Sequence, residues 1–388
     1  MRVVVVGAGI VGSCAALSLV KAGCEVVVVE RAQVGGGTTS RGEGNVLVSD
    51  KAPGAELDLA LVSVRRWGEL ADEIGADALE YERKGGLVTT ADENALPGLE
   101  ALARSQRAVG VDAEVVDAPH LLEPHLAPEV RRGILYPQDA QVQPVLAADS
   151  ILRHARRLGA EYRPGVEVRG GLRSGPRLAG VETSSGRIGA DAVVNASGTW
   201  GAEVGGLLGG AVPVLPRRGF VLVTEPVPLL VRRKLYSADY VANVAASTEG
   251  LETSVVVEGT RGGTILIGAS RERVGYDATM APRIVHRLAR QAVALFPRLA
   301  DVQLIRVYRG FRPYCPDHLP VIGPDPRVSG LVHACGHEGA GVGLAPATGD
   351  LVAAHLTGGD VDGAAGGRAQ ALLPDRLVGD GARPKEAS

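Results

Sequence analysis

The first thirty residues show three successive patterns of hydrophobic positions. Val3 to Val6 form a β-branched run, which predicts a buried strand of a parallel sheet. An apolar stretch from Ile10 to Lys21 predicts a helix, and the valine-rich segment from Glu25 to Glu30 predicts a second buried strand. Strand, helix and strand in this order are typical of a parallel α/β unit.

The rest of the chain alternates between the hydrophobic periods of helices and strands. Helices are predicted over residues 55–75, 93–109, 144–158, 284–296 and 344–356. Strands are predicted over residues 79–90, 113–116, 161–168, part of 187–200, 213–225, 254–258, 264–269 and 331–335. We therefore predict an α/β (α+β two-domain) fold, in which a Rossmann-like domain carries an inserted antiparallel sheet, and we expect 363–388 to be a flexible tail.

Composition excludes several classes of protein. With 41 Lys and Arg against 44 Asp and Glu, the net charge is −3, which lacks the basic surplus of nucleic-acid-binding proteins. Glycine makes up 53 of 388 residues, about twice its usual share of roughly 7%. Many backbone positions are therefore expected to need a positive φ or a close approach to a ligand.

Neither a membrane segment nor a metal site is expected. The uncharged run 3–20 has the length of a membrane helix, but three glycines interrupt it. The four cysteines form no CxxC pair, which favours a reducing, cytoplasmic location. His120 and His125 flank Pro124, which breaks the helix that a zinc motif of this kind needs.

Gly7, Gly9 and Gly12 form a GxGxxG motif between the first strand and the first helix. Gly7 allows the tight turn, Gly9 lets the backbone approach a pyrophosphate, and Gly12 lets the helix and the strand pack closely. The helix N-terminus offers its N–H groups to phosphates. Glu30 follows 18 residues after Gly12, where an acid accepts hydrogen bonds from a ribose diol. The motif predicts a dinucleotide site without distinguishing NAD from FAD.

Three later segments extend this site. The loop 35–45 is rich in glycine and hydroxyl groups and is too long for an ordinary βα connection. The strand within 187–200 ends in small residues, and the glycine-rich loop 336–343 opens a second helix N-terminus. The middle of the chain has no second complete strand–GxGxxG–helix unit, which disfavours a flavoprotein with a separate NAD domain.

Together with the Thr38-Thr39-Ser40 loop, these motifs resemble the D-amino-acid oxidase superfamily from Met1 to about Leu356. The resemblance is to its glycine oxidase, sarcosine oxidase and hydroxyproline dehydrogenase type, and segments 42–45, 49–51 and 336–341 resemble the proline and hydroxyproline group. It implies a FAD-binding domain of the glutathione-reductase-2 type over 1–78, 140–212 and 305–362, and a substrate-binding domain over 79–139 and 213–304.

The resemblance also implies which residues bind FAD, and that they do so without a covalent bond. They are Gly7, Gly9, Ile10, Val11, Gly12, Glu30 and Arg31 at the pyrophosphate and ribose, Thr38, Thr39 and Ser40 along the phosphate and ribityl stretch, Glu43, Gly44 and Asn45 beside the flavin ring, Val168 at the adenine, Gly198 and Trp200 beneath the cofactor, and His337, Gly339, Gly341, Val342, Gly343 and Leu344 at the pyrimidine edge. Cys315 lies out of register for a covalent flavin attachment.

Four residues are implied on the substrate side. Arg312 corresponds to a carboxylate-binding arginine, since a guanidinium clamps a carboxylate at two points. Tyr236 and Tyr240 match tyrosines that face the substrate, with core packing as the alternative, and His337 completes the set. Gly339 departs from glycine oxidases that have a second substrate-side arginine at this place.

The implied activity is oxidation of the C–N bond of a small amino or imino acid, proline/hydroxyproline-like or glycine/sarcosine-like. A hydride would pass from the substrate Cα to flavin N5, and the electrons to O2 or another acceptor. The residues alone do not exclude two alternative functions. The protein would then be a NAD-dependent dehydrogenase or a non-catalytic flavin subunit of an amino-acid dehydrogenase complex. The expected partners are the substrate and either O2 or a redox partner. The sequence does not distinguish a homo-oligomer from a hetero-oligomer.

Overall fold

The computed structural model describes residues 1–244 and 250–377, without the side chains of 242–244. The strands of these residues are β1 (Arg2–Val6), β2 (Glu25–Glu30), β3 (Asn45–Val46), β4 (Gly86–Thr90), β5 (Glu114–Val116), β6 (Arg132–Tyr136), β7 (Ala140–Gln141), β8 (Glu161–Pro164), β9 (Val168–Ser174), β10 (Arg177–Thr183), β11 (Gly186–Gly189), β12 (Ala192–Asn195), β13 (Leu215–Thr224), β14 (Lys234–Ser237), β15 (Glu252–Gly259), β16 (Ile265–Arg271), β17 (Leu304–Tyr314), β18 (Val321–Pro324) and β19 (Leu331–Cys335).

The helices of the same residues are α1 (Ile10–Lys21), α2 (Ala55–Ile74), α3 (Ala76–Leu79), α4 (Leu96–Arg107), α5 (Pro144–Arg157), α6 (Gly201–Leu207), α7 (Ala238–Val244), α8 (Pro282–Leu295), α9 (Gly341–Thr357) and α10 (Val361–Ala365). Short 3-10 turns at Thr38–Arg41 and Gly198–Trp200 lie near the site described below. Among the described residues, no helix is both long enough and apolar enough to cross a bilayer.

Six strands form a sheet in the order β18-β19-β12-β1-β2-β8, parallel except for β18. In its central strand, Val3 and Val5 join the core with helices α1, α5 and α9. Val4 and Val6 join a second core with the small antiparallel sheet β11-β10-β9. Because both faces of β1 are covered, the strand is an unbroken run of valine rather than an alternating pattern.

Eight strands form the second large sheet, in the order β17-β13-β16-β15-β14-β4-β6-β5. Its paired neighbours are antiparallel except for β14 and β4. Helix α8 packs on one face, where Ile284 and Leu288 join a core with Phe220 and Ile267. The predicted class is confirmed, with a Rossmann-like sheet and a large, mostly antiparallel sheet in one α/β chain.

The predicted domain boundary at residue 305 is wrong. Strand β17 pairs with β13 along its whole length, from Leu215 opposite Tyr314 to Thr224 opposite Leu304. Residues 304–314 therefore belong to the second sheet. The pattern concealed this strand because its arginines and partly exposed apolar residues do not alternate. The remaining domain limits stay a prediction.

The prediction of a flexible tail from residue 363 is also wrong as far as residue 377. Ala365, Ala369 and Leu372 are 0%, 4% and 0% exposed and belong to the main core. The small residues of this segment show no hydrophobic periodicity in the sequence. They nevertheless pack against the core, because small side chains let the backbone lie close to it. The remainder of the predicted tail, 378–388, lies outside the described residues.

Three smaller differences concern element boundaries. The strand expected over 79–90 begins at Gly86, since Leu79 ends the short helix α3. The strand expected over 161–168 divides into β8, which joins the first sheet, and β9, which opens the small sheet. The helix expected from residue 93 begins at Leu96 after a 3-10 turn.

Candidate active site

A long cavity runs between the two large sheets, from the carboxyl end of β1 to the end of β17. The predicted cofactor residues that line it are Gly7, Gly9, Ile10, Val11, Glu30, Arg31, Thr38, Thr39, Glu43, Asn45, Val168, Gly198, Trp200, His337, Gly339, Gly341 and Val342. Of the predicted substrate residues, Arg312 and Tyr240 line it together with His337. The predicted residues outside its described lining are Gly12, Ser40, Gly44, Gly343, Leu344 and Tyr236.

The glycine turn after β1 has the geometry that close packing of a helix and a strand requires. Gly7 has φ +106°, a left-handed conformation that favours glycine, and its N–H donates to Val29 O at 2.8 Å. A Cβ on Gly12 would overlap the Gly7 carbonyl oxygen. Gly12 therefore positions helix α1 instead of lining the cavity.

Glu30, at the end of β2, is held by backbone N–H groups. Its two carboxylate oxygens accept hydrogen bonds from Ala8 N at 3.0 Å and Ala32 N at 2.9 Å. A carboxylate has about four acceptor positions, so both oxygens keep capacity for a ribose diol. The contacts orient the carboxylate toward the cavity that Glu30 lines.

The 3-10 turn after residue 37 connects the glycine motif to the second sheet. Thr39 Oγ1 accepts a hydrogen bond from Ile10 N at 3.1 Å, at the start of helix α1. Thr38 Oγ1 donates to Phe311 O of β17 at 2.9 Å. Ser40 Oγ instead donates to Gly37 O at 3.1 Å, which stabilises the turn itself.

Aromatic rings cover one side of the cavity, a feature that the sequence did not indicate. The Arg31 guanidinium lies 4.0 Å from the Trp200 ring centroid, and Trp200 stacks on Tyr276 with centroids 6.1 Å apart. Tyr276 meets the ring of Phe311 edge-on at 5.4 Å. In a chain with 13 aromatic residues among Phe, Trp and Tyr, three gather here.

The second glycine-rich loop brings the N-terminus of α9 to the cavity. Ala340, which precedes the helix, provides no side-chain cap, and Gly341 and Val342 line the cavity. The N–H groups of the first turn of a helix have no partner within the helix. Together with the helix dipole, they favour negative charge at this point.

His337 lies beside that helix as a neutral base. Its Nε2 is 3.0 Å from Thr348 Oγ1, and Thr348 donates its own hydroxyl proton to Leu344 O at 2.9 Å. Nε2 must therefore carry the proton and donate to Thr348. Burial lowers the pKa of His337 to about 4, so the ring is neutral at neutral pH.

Two buried polar side chains before and within β3 leave oxygens unpaired. Glu43 and Asn45 are 6% and 8% exposed, and Glu43 Oε1 and Asn45 Oδ1 have no hydrogen-bond partner among the described residues. Burial raises the pKa of Glu43, an effect that the charge of Lys234 opposes. Buried oxygens of this kind at a cavity wall fit a ligand with polar ring edges.

Charged groups missed by the sequence predictions lie behind this wall. Lys234 of β14 pairs with Glu258 of β15, and their side chains are 1% and 3% exposed. Asp139, 0% exposed, accepts hydrogen bonds from Val48 N at 2.8 Å and Ser49 N at 3.4 Å, and burial raises its pKa to about 7. Lys234 and Glu258 come together through the pairing of β14 with β15, which no local spacing in the sequence encodes.

Arg312 lies on β17 at the far end of the cavity. Its Nη1 donates to Ser270 O at 2.8 Å, and a side chain on Gly219 would occupy the place of its guanidinium. Burial, and then the charge of Arg271, lower the pKa of Arg312. A half-buried guanidinium that lines a cavity is suited to bind a carboxylate.

The two predicted tyrosines have different environments. Tyr240 of α7 lines the cavity, and burial raises its pKa to about 12, so its hydroxyl is protonated at neutral pH. Tyr236 of β14 is 0% exposed, and its hydroxyl has no hydrogen-bond partner among the described residues. The rings stack with centroids 5.5 Å apart, so Tyr236 supports Tyr240 from the core.

These features fit one long dinucleotide cofactor. The N-terminus of α1, the glycine turn and Glu30 suit the phosphates and a ribose, while the N-terminus of α9, Glu43 and Asn45 offer polar groups to a ring near Arg312. Fold and cavity thus define an oxidoreductase of the two-domain dinucleotide-binding class.

The chain belongs to the family described as FAD dependent oxidoreductase, whose model matches residues 2–355. It is 31% identical to a glycine oxidase from Pseudomonas aeruginosa, over 92% of this chain and 95% of that protein. It is 32% identical to the hydrogen cyanide synthase subunit HcnC from the same species, over 77% of this chain and 70% of that protein.

A solved glycine oxidase from Geobacillus kaustophilus has a TM-score of 0.82 with this structure at 25% identity, over 92% of this chain and 95% of that one. The protein is a FAD-dependent amino-acid oxidoreductase.

Proposed function

We propose that the enzyme oxidises the C–N bond of a small amino or imino acid, proline/hydroxyproline-like or glycine/sarcosine-like. The half-buried guanidinium of Arg312 carries this proposal, because it lines the cavity at the end opposite the glycine turn. A carboxylate held there at two points would have its position and its rotation defined. FAD, bound without a covalent bond, supplies the hydride acceptor.

The other residues of this end position the substrate. The protonated Tyr240 hydroxyl can donate a hydrogen bond to the substrate carboxylate. His337, neutral and bound to Thr348, stays a prediction as a positioning residue beside the α9 N-terminus. Tyr236 acts through Tyr240, because it is 0% exposed and stacks on the Tyr240 ring from the core side.

The experiment is anaerobic titration of the FAD-loaded enzyme with a panel of amino and imino acids. Loss of the flavin absorbance with small amino or imino acids is the expected result, and it reports substrate class independently of the electron acceptor. A preparation that takes up no FAD, or a flavin that no member of the panel reduces, would refute the proposal.

A dehydrogenase subunit is the second candidate, and the similarity to HcnC, a subunit by its name, favours it. In that case, electrons would pass to a redox partner rather than to O2. Oxygen uptake compared with reduction of an artificial dye distinguishes the two, and the same samples give the oligomeric state by light scattering.

The four cysteines are free, which supports the proposed cytoplasmic location.

A further inference from the structure

Arg271, the last residue of β16, is a buried cation without an obvious partner. It is 4% exposed, and its Nη1 is buried with no hydrogen-bond partner among the described residues. Its guanidinium lies over the ring of Tyr240, with Cζ 4.8 Å from the ring centroid. Such a contact compensates only part of the cost of burying a charge.

The position of Arg271 places it beside the substrate end of the cavity. It follows Ser270, whose carbonyl oxygen accepts the hydrogen bond from Arg312. Ser270 Oγ accepts a hydrogen bond from Phe220 N, so strand alternation directs Arg271 to the opposite face, where Tyr240 lies. Tyr240 and Arg312 both line the cavity, and Arg271 lies against the Tyr240 ring, next to the described lining rather than in it.

The nearby acids are already engaged or favour the neutral form. Glu338 pairs with Arg217 and lies 3.2 Å from His318 Nδ1. Burial raises the pKa of Glu43, which makes it a weak counter-ion for two guanidinium groups. The buried Arg271 and the half-buried Arg312 are neighbouring cations, so they leave room for more negative charge than one substrate carboxylate brings.

We propose that Arg271 is a specificity-determining residue that binds a second carboxylate of the substrate. Arg312 would hold the α-carboxylate, and Arg271 the other acid group of a small dicarboxylic amino or imino acid. This inference rests on the proposed function, since it assumes that Arg312 faces the substrate.

The first test measures binding without turnover. FAD-loaded wild-type enzyme and Arg271→Met are titrated with succinate and with propionate, which differ by one carboxylate, and the perturbed flavin spectrum gives each Kd. Arg271→Met is expected to weaken succinate binding by about 30-fold or more, as loss of one partner of a buried charge pair does. The Kd of propionate is expected to change by less than about threefold, which is the usual size of effect for a substitution that removes no specific contact.

Two further variants separate recognition from structure. Arg306→Met removes an exposed arginine that also lies over a tyrosine, 5.6 Å from the Tyr308 centroid, and is expected to leave both affinities unchanged. Arg271→Lys keeps the charge and is expected to keep part of the succinate preference. Ligand-free Arg271→Met is expected to melt no lower than wild type, because it loses an uncompensated buried charge.

The second test measures turnover with iminodiacetate and sarcosine, which also differ by one carboxylate. The ratio of their kcat/KM values is expected to fall in Arg271→Met and to stay unchanged in Arg306→Met. Three results would overturn the inference. They are equal weakening of succinate and propionate binding in Arg271→Met, a wild-type enzyme that does not prefer succinate, and an Arg271→Met protein that fails to fold. The proposed function fails separately, if no amino or imino acid reduces the wild-type flavin.

Discussion

The two ends of the cavity are built from different parts of the chain. At the glycine turn, the contacts are mainly backbone N–H groups, the N-terminus of α1 and one carboxylate held by Ala8 N and Ala32 N. At the other end, they are charged side chains, namely the buried Glu43 and Arg271 and the half-buried Arg312, brought together by three strands or loops far apart in sequence. Backbone contacts tolerate changes of side chain, whereas each charged contact depends on a single residue. We infer that cofactor binding and substrate choice are encoded separately.

The largest effect is expected at Arg312. Arg312→Ala should lower kcat/KM by about 30-fold to several thousand-fold, which corresponds to the roughly 2–5 kcal/mol lost when a buried charge pair loses a partner. FAD content should stay that of wild type, because the change lies at the substrate end. Steady-state kinetics and flavin absorbance measure both quantities.

The control for this variant is Arg306→Ala on the same strand, since Arg306 is exposed. Arg312→Lys should recover part of the activity, as it keeps the charge but loses the two-point geometry. Unchanged turnover in Arg312→Ala would show that the carboxylate binds elsewhere or that the chain is a catalytically silent flavin subunit.

The next effect is expected at Gly12, at the opposite end. Gly12→Ala would place a methyl group against the Gly7 carbonyl oxygen, and relieving the overlap must shift α1 away from β1. We expect the Kd for FAD to rise by about 5- to 150-fold, from an overpacking cost of roughly 1–3 kcal/mol. Fluorescence titration of the FAD-depleted protein measures this Kd.

Gly98→Ala is its matched control, because Gly98 lies on the exposed side of α4 with open space around it. It should leave FAD affinity unchanged and stabilise the helix by up to about 1 kcal/mol. Equal FAD affinity in Gly12→Ala and Gly98→Ala would mean that the glycine turn does not position the cofactor.

A pH dependence of stability is expected from Asp139. Burial raises its pKa to about 7, well above the ordinary value of 3.8, so the folded protein binds a proton that the unfolded chain has lost between these two pH values. The free energy of unfolding should therefore fall as pH rises from about 4 to 7, by up to about 1.4 kcal/mol per pH unit, and level off above.

Asp139→Asn cannot ionise and should have a smaller slope over this range. Urea unfolding at a series of pH values measures it. Identical slopes in the wild type and the variant would assign the dependence to other acids, such as Glu56, whose pKa burial also raises to about 7.

The smallest effect is expected from the tyrosine pair. Tyr240→Phe should lower kcat/KM by about 3- to 10-fold, the usual range for one hydrogen bond. Tyr236→Phe should have no effect on kinetics, because its hydroxyl has no described hydrogen-bond partner to lose. The reverse order would place Tyr236, rather than Tyr240, at the substrate.

The sequence predicted the glycine-turn end more fully than the substrate end for a physical reason. Gly7 to Glu30 form one continuous strand–helix–strand unit, so the spacing of the motif carries its geometry. Arg271 and the Lys234–Glu258 pair come together through pairing of β14, β15 and β16, and no local spacing encodes such contacts. Strand β17 was missed because its arginines and partly exposed apolar residues do not alternate.

Strand β17 also has a consequence for how the two ligands bind. Its residue Phe311 accepts hydrogen bonds from Thr38 and Thr199, and the next residue is Arg312. A cofactor that orders the Thr38 turn thus also lowers the entropy cost of holding the guanidinium in place. Thermodynamic linkage requires the reverse as well, so a bound carboxylate should strengthen FAD binding by the same free energy.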